Sequence, residues 1–281
     1  MKLFLNGCLF FFLLIRAFSE TQIDKKYLLR TNSAAKVMGR EDRKDGVHSG
    51  NRVLTRIYNH GAIGDLSSAF SGVYPIGSGH AYIFEFSPII AASVVDVNGN
   101  RKHIISDGTI GLTDDSPDGP PWSFEPLPGY ANPNQENLAM SDNVNSWPES
   151  WPNRSSDWDG EWNGQYGKYV RADQESYFVV DDYYNSEFEF WPDENDLPDS
   201  LSEDPDNHRR GLGIQLDVRG YQWNHPAAED ILIVTYWITN LGTNVLDSVV
   251  FGMYGDADVG GPSSFSDDDA WFDTENDMVF Q

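Results

Sequence analysis

The chain is short of cysteine and of positive charge, and each shortage removes a class of function. Its 281 residues hold one cysteine, Cys8. Everything after it therefore lacks a disulfide framework, a thiol nucleophile and a cysteine-ligated zinc. Lys and Arg number 19 against 44 Asp and Glu, a formal charge of −25. A polyanion of this size repels phosphate backbones, which removes nucleic acid as a partner. Histidine is scarce as well. His48, His60, His80, His103, His208 and His225 form no His-Glu-x-x-His pair, and none lies three or four residues from another. There is no Gly-x-Ser-x-Gly elbow and no glycine loop of the phosphate-cradling kind. No catalytic signature stands in the sequence.

What is present is aromatic. Hydrophobic residues make up 40% of the chain and aromatic residues 14%, with nine Trp. Chains that stay unfolded are poor in such residues, so this one builds a core despite its charge.

The first residues read as an export signal. Lys2 precedes an apolar run from Leu3 to Ile15, broken only by Asn6, Gly7 and Cys8, and Ala17, Phe18 and Ser19 stand before Glu20. That order of charge, apolar stretch and small residues predicts a secretory leader over residues 1–19. Spanning a membrane takes about 18 or more apolar residues, more than this run supplies. The expected location is extracellular or at the cell surface, with no transmembrane segment once the leader is removed.

Charge divides the remainder. Residues 20–56 carry nine Lys and Arg against five Asp and Glu, whereas residues 57–281 carry eight against 39. Residues 20–52 therefore read as a basic leader or linker. Residues 53–210 read as a β-rich region with long acidic, Trp-rich loops, because 113–210 holds 23 acidic residues and six of the nine Trp with no sustained period. Residues 211–281 read as sandwich strands.

The strand signals are specific. HAYIFEF from His80 and IIAASVVDV from Ile89 are β-rich runs, and the second ends at Asn98-Gly99. An Asn-Gly pair between apolar runs predicts a hairpin, with Lys102-His103-Ile104-Ile105 as the returning strand. YFVVDDYY from Tyr177 is a third strand. In GIQLDVRGYQW, Ile214, Leu216 and Val218 alternate with Gln215, Asp217 and Arg219, which predicts one buried and one wet face. ILIVTYWIT from Ile231 is apolar on both faces, and DSVVFGMYGDADV from Asp247 follows it. The expected fold is all-β, an antiparallel β-sandwich-like body with long irregular acidic loops. The chain stops at Met278-Val279-Phe280-Gln281, as a further strand begins, so truncation at the C-terminus is expected.

The blocks YPIGSGHAYIFEF, WPESWP, ADQESYFVVDDYY, GLGIQLDVRGYQWNHPAAEDILIVTYWITNLG and VVFGMYGDADVGG resemble a group of large secreted bacterial proteins, largely uncharacterised, which often end in a type IX secretion sorting domain. The resemblance covers about residues 51–281. It implies a released or cell-surface multidomain protein of all-β architecture and gives no activity. This chain departs from the group by lacking a sorting domain.

Two clusters carry candidate chemistry. Asp256 and Asp258 stand two apart at a strand end, where alternate residues point the same way, and a loop returning through Asp267, Asp268 and Asp269 supplies further oxygens. Clustered carboxylates suit a hard cation, so calcium is the expected ligand, without the glycine and glutamate spacing of an EF-hand. The competing reading is a solvated acidic loop. In the second cluster Trp158, Asp159, Glu161 and Trp162 alternate ring and acid. Flat indoles beside carboxylates are what a glycan-binding or glycan-cleaving site uses. Trp147, Trp151, Trp158 and Trp162 serve equally as pins that hold a long loop on the core. Two functions follow: a secreted structural or interaction module of a larger protein, meeting a surface protein, or an extracellular glycan-binding or glycan-cleaving protein. Buried indoles favour the first; exposed indoles sharing one groove favour the second.

Overall fold

A computed structural model describes residues 12–17, 42–65, 69–95, 99–109, 123–182, 185, 211–241, 245–260, 269–276 and 278–280. Its strands are β1 (Phe12–Ala17), β2 (Asp45–His48), β3 (Thr55–Tyr58), β4 (Ile83–Val95), β5 (Arg101–Asp107), β6 (Glu125–Pro126), β7 (Ala139–Met140), β8 (Gln174–Asp181), β9 (Ile214–Gln222), β10 (Ile233–Asn240), β11 (Asp247–Ala257), β12 (Trp271–Asp273) and β13 (Met278–Phe280). Among the described residues only 3-10 turns, such as Val144–Ser146 and Ser156–Trp158, interrupt the β and loop structure. The fold is all-β, and no helix among the described residues is long and apolar enough to cross a membrane.

Two layers face each other. The larger sheet runs β1-β10-β9-β8-β6, with β7 also on β8, and the smaller runs β11-β4-β5. The hairpin β2–β3 joins the smaller sheet through bridges at Ile63, which pairs with both Ile57 and Phe86. Among the described strands, pairs are antiparallel except β1 on β10. Alternation places Phe178, Val180, Leu216, Val218, Val234 and Tyr236 on the inner face of the large sheet. They pack on Ile57, Ile63, Ile90, Ala92, Val94 and Ile104 of the other layer.

The expected hairpin forms as β4–β5, with Val95 opposite Arg101 and Gly99 at φ +82°. The two runs read separately from His80 and Ile89 are one continuous strand, β4, that passes through Pro88. Pairing with β5 begins one residue later, at Ile89↔Asp107, so the missing proline N–H removes no bond from that ladder. The segment read as a basic linker is partly structured: β2 lies within it, and His48 there is fully buried. β1 falls within the residues read as the leader. The expected C-terminal strand pairs as the hairpin β12–β13.

Two buried ionisable groups tie the layers together. His48 Nε2 and Ser176 Oγ are hydrogen-bonded at 2.8 Å, and Gly220 leaves the ring its place, since a Cβ there would stand 2.6 Å from both atoms. Burial holds the His48 imidazole down to about 4, so the ring is neutral at pH 7. Asp182, just past β8, accepts N–H groups of Leu212 at 2.6 Å and Ile214 at 2.9 Å and the Ser106 hydroxyl at 2.9 Å. Burial nevertheless pushes its carboxyl up to about 6, against these donors.

Candidate functional site

The outer face of β8 and β9 is covered by residues 127–173, a cap of turns. Here the expectation of a wet face fails at Arg219, while Gln215 stays half-buried. Glu175, Tyr177 and Val179 of β8 and Arg219 and Tyr221 of β9 are all buried, with Asp217 half-buried among them. The cap shields them, a contact between distant segments that alternation along one strand does not report.

Tryptophans pin the cap. Trp151 and Trp162 are each 2% exposed and meet edge to face, with ring centroids 5.9 Å apart. Trp147 lies 5.3 Å from Trp162, and Trp151 lies 5.8 Å from Tyr177 of β8. Each indole N–H has an acceptor: Met140 O at 2.7 Å for Trp147, Glu161 O at 2.9 Å for Trp151 and Glu175 Oε2 at 2.7 Å for Trp162. An indole buried on these terms contributes its area without an orphaned donor.

Beneath the indoles lies a closed polar layer. Glu175 also accepts the backbone N–H of Arg171 at 2.6 Å and of Ala172 at 3.1 Å. Arg219 donates to Asn163 O at 2.6 Å, and its guanidinium sits 3.7 Å over the Tyr177 ring. Burial raises the Asp217 carboxyl, while Arg219, Tyr177 and Arg154 work in the opposite direction. Burial likewise raises the phenols of Tyr177 and Tyr130, whose rings meet edge to face. These groups neutralise one another inside the fold. The serine–histidine pair is also enclosed, since His48 and Ser176 are both fully buried. A cavity of about 150 Å³ lies beside the cap, lined by Lys44, Asn59, Pro126, Tyr130 and Phe178. Small-molecule pockets run to about 300–1,000 Å³, so this one is undersized for a substrate.

The sequence-derived clusters are placed as follows. Asp159 and Glu161 are exposed, Trp158 is half-buried and Trp162 is buried, so the four do not share one open face. The Trp158 ring is already in use: Arg154 Cζ stands 4.3 Å and Lys168 Nζ 5.6 Å from its centroid. Of the calcium candidates, Asp256 is half-buried on β11 opposite Glu85 and accepts the Tyr254 hydroxyl at 3.0 Å. Asp258 is 2% exposed and its N–H donates to Tyr82 O. Asp269 is exposed and accepts the Ala270 N–H, whereas Asp267 and Asp268 lie outside the described residues. Among the described residues, no three His, Cys, Asp or Glu converge to hold a metal.

One surface had no signal in the sequence. Past the pinned indoles, Gly164 and Gly167 bridge in a tight turn where a Cβ on Gly164 would stand 2.5 Å from two carbonyl oxygens. The turn presents Tyr166, 65% exposed, and Tyr169, 50% exposed, on either side of Arg171. The guanidinium lies 4.6 Å and 5.4 Å from the two ring centroids and donates to the Tyr169 hydroxyl at 2.9 Å. Trp223 extends the platform, stacked on Tyr221 and donating to Arg171 O at 3.2 Å. Tyrosine, tryptophan and arginine are the residues enriched where proteins meet partners. Arg171 and Trp223 are 52 residues apart, a separation no local pattern bridges. No family model, curated protein or solved structure matches the chain.

Proposed function

We propose that the chain is a secreted or cell-surface interaction module of a larger protein, built as a β-sandwich and without catalytic machinery. The observation that carries this reading is the use of the tryptophans: Trp151 and Trp162 are buried, Trp147 packs half-buried on Trp162, and Trp158 is covered by Arg154 and Lys168. The exposed Tyr166–Arg171–Tyr169 platform is the surface such a module presents. The export reading is supported by the order of residues 1–19 and by the block resemblance to large secreted proteins.

A second reading keeps the glycan but moves it. Tyrosine faces beside a guanidinium suit a sugar that carries a carboxylate, with C–H faces on the rings and the charge at Arg171. The full chain applied to neutral and acidic polysaccharides distinguishes the two. The module reading expects no release of reducing ends and no retention that depends on Trp158 or Trp162. Hydrolysis would overturn it. Retention on acidic polysaccharide that Tyr166→Ala with Tyr169→Ala abolishes, and Trp158→Ala leaves intact, would establish the second reading.

A further inference from the structure

Four sheet edges can be compared. β6, at one side of the large sheet, carries Glu125 and Pro126. β5, at one side of the small sheet, begins with exposed Arg101, Lys102 and His103. β11, at the other side, has Asp247 near its start and Asp256 near its end. Charge and proline on an edge are the ordinary defences against pairing with another chain. β10 has none of them. Its residues Ile233 to Asn240 read IVTYWITN, without charge, proline or glycine, and this is the edge on which another strand lies.

The strand on it is β1, in unbroken parallel register from Phe12↔Ile233 through Leu14↔Thr235 to Ala17↔Ile238. β10 alternates Val234 and Tyr236, both buried in the sandwich core, with the half-buried Ile233, Thr235 and Trp237. Any strand in this register sets its second, fourth and sixth residues opposite Val234, Tyr236 and Ile238, and so extends both the ladder and the core. Yet residues 12–17 belong to the segment whose composition reads as a removable leader. Its departure leaves an unguarded apolar edge.

We propose that the outer edge of β10 is a strand-accepting site, and that once the leader has gone it takes an extended apolar segment of another polypeptide in parallel register. The ligand class is a segment of about six residues with aliphatic side chains at alternate positions. Parallel pairing favours a different chain over a second copy, because two β10 edges related by a two-fold axis would run antiparallel. The proposal rests on the leader reading and is independent of the Tyr166 platform.

The test uses the full chain and a synthetic peptide of residues 12–17 behind a pair of solubilising lysines. Leu13→Pro with Leu14→Pro disables the leader strand in either phase of the ladder, since proline lacks the N–H. In the wild-type chain, alternate β10 amides are protected from hydrogen exchange and labelled peptide does not bind. In the double-proline chain those amides exchange about tenfold faster or more, the peptide binds and restores protection, and a peptide with the same two prolines does neither. Unchanged tryptophan emission shows that the body remains folded. Unprotected β10 amides in the wild-type chain would overturn the proposal without any variant. Faster exchange with no peptide binding would also overturn it, and a variant dimer that excludes the peptide would replace the foreign strand by a second copy. Mass spectrometry of the exported chain tests the leader separately: a retained residue 1 sinks the leader reading whatever the peptide does.

Discussion

The two faces of β8 and β9 are both packed against other segments, and by opposite chemistry. Inward, Phe178, Val180, Leu216 and Val218 meet the second sheet in an apolar core. Outward, Glu175, Tyr177, Asp217 and Arg219 lie under indoles, with their polar atoms matched to one another and to the backbone of the cap. The inner face is held by area and shape, so it tolerates change in proportion to the volume removed. The outer face is held by completeness, because each buried polar group depends on a partner that another segment supplies. Alternation in a strand therefore tells which residues share a face and leaves open whether that face is wet.

The comparison breaks first at Arg219. Arg219→Ala removes the donor to Asn163 O and the nearest cation beside the half-buried Asp217, which keeps only Tyr177 and Arg154 as support. Breaking a buried ionic set this way costs about 3–5 kcal/mol, read as a fall in the urea midpoint. A loss under about 1 kcal/mol would mean that water already reaches the layer. On the inner face Leu216→Ala leaves a cavity and is expected to cost about 2–5 kcal/mol. Unlike the Arg219 variant, it should cost the same at pH 5 and pH 8, and a pH-dependent loss would contradict a purely apolar inner face.

The pH dependence sharpens the contrast further. The His48 imidazole is held down to about 4, so its contribution to stability is complete above 6.5 and is lost as pH falls from 6.5 toward 4. Asp182 is pushed up to about 6, so its contribution is complete below 3.8 and is lost as pH rises through 6. Each amounts to about 3 kcal/mol across its window, with opposite sign, so the two largely cancel between about pH 4 and 6. Asp182→Asn is expected to expose the His48 slope, with stability falling as acid is added. His48→Gln is expected to expose the reverse slope. Denaturant titrations at pH 4, 5 and 6 decide it, and parallel profiles for wild type and both variants would refute the opposed pair.

The smallest effect is expected at Tyr236. Its hydroxyl lies in the inner core, 1% exposed as a residue, with no hydrogen-bond partner among the described residues. Tyr236→Phe removes a buried, unsatisfied polar atom and keeps the ring against Phe251. It should leave stability unchanged or raise it by up to about 1 kcal/mol. A clear loss in thermal unfolding would show that the hydroxyl is satisfied after all, and that the inner face carries a polar contact of its own.

Much of the body was legible in the residues. Asn98-Gly99 between apolar runs located the β4–β5 hairpin, and Ile214, Leu216 and Val218 identified the buried face of β9, because both signals are local and periodic. The tryptophan region was legible as a choice between pins and a sugar groove, since composition reports how much aromatic area exists and not which side of it is covered. Asp256 lies near the end of β11 and Asp258 just past it, across an irregularity of the ladder. Their environment depended on Glu85 and Tyr82, which lie far away in sequence. The Tyr166–Tyr169–Arg171 part of the platform forms within one local turn, whereas Trp223 joins it only through the packing of the cap on β9.

By itself the sequence determined the class of fold, because period-two alternation, turn dipeptides and the absence of helical periodicity are properties of a few consecutive residues. It also determined what the protein has little of: eight Lys and Arg against 39 Asp and Glu over residues 57–281, and no cysteine after Cys8. The tertiary structure decided which tryptophans are buried, that Arg219 on the polar face of β9 is buried, and that residues 12–17 lie along the uncharged edge of β10. Those outcomes depend on desolvation by segments tens to hundreds of residues apart, and burial of that kind exists only once the chain has folded.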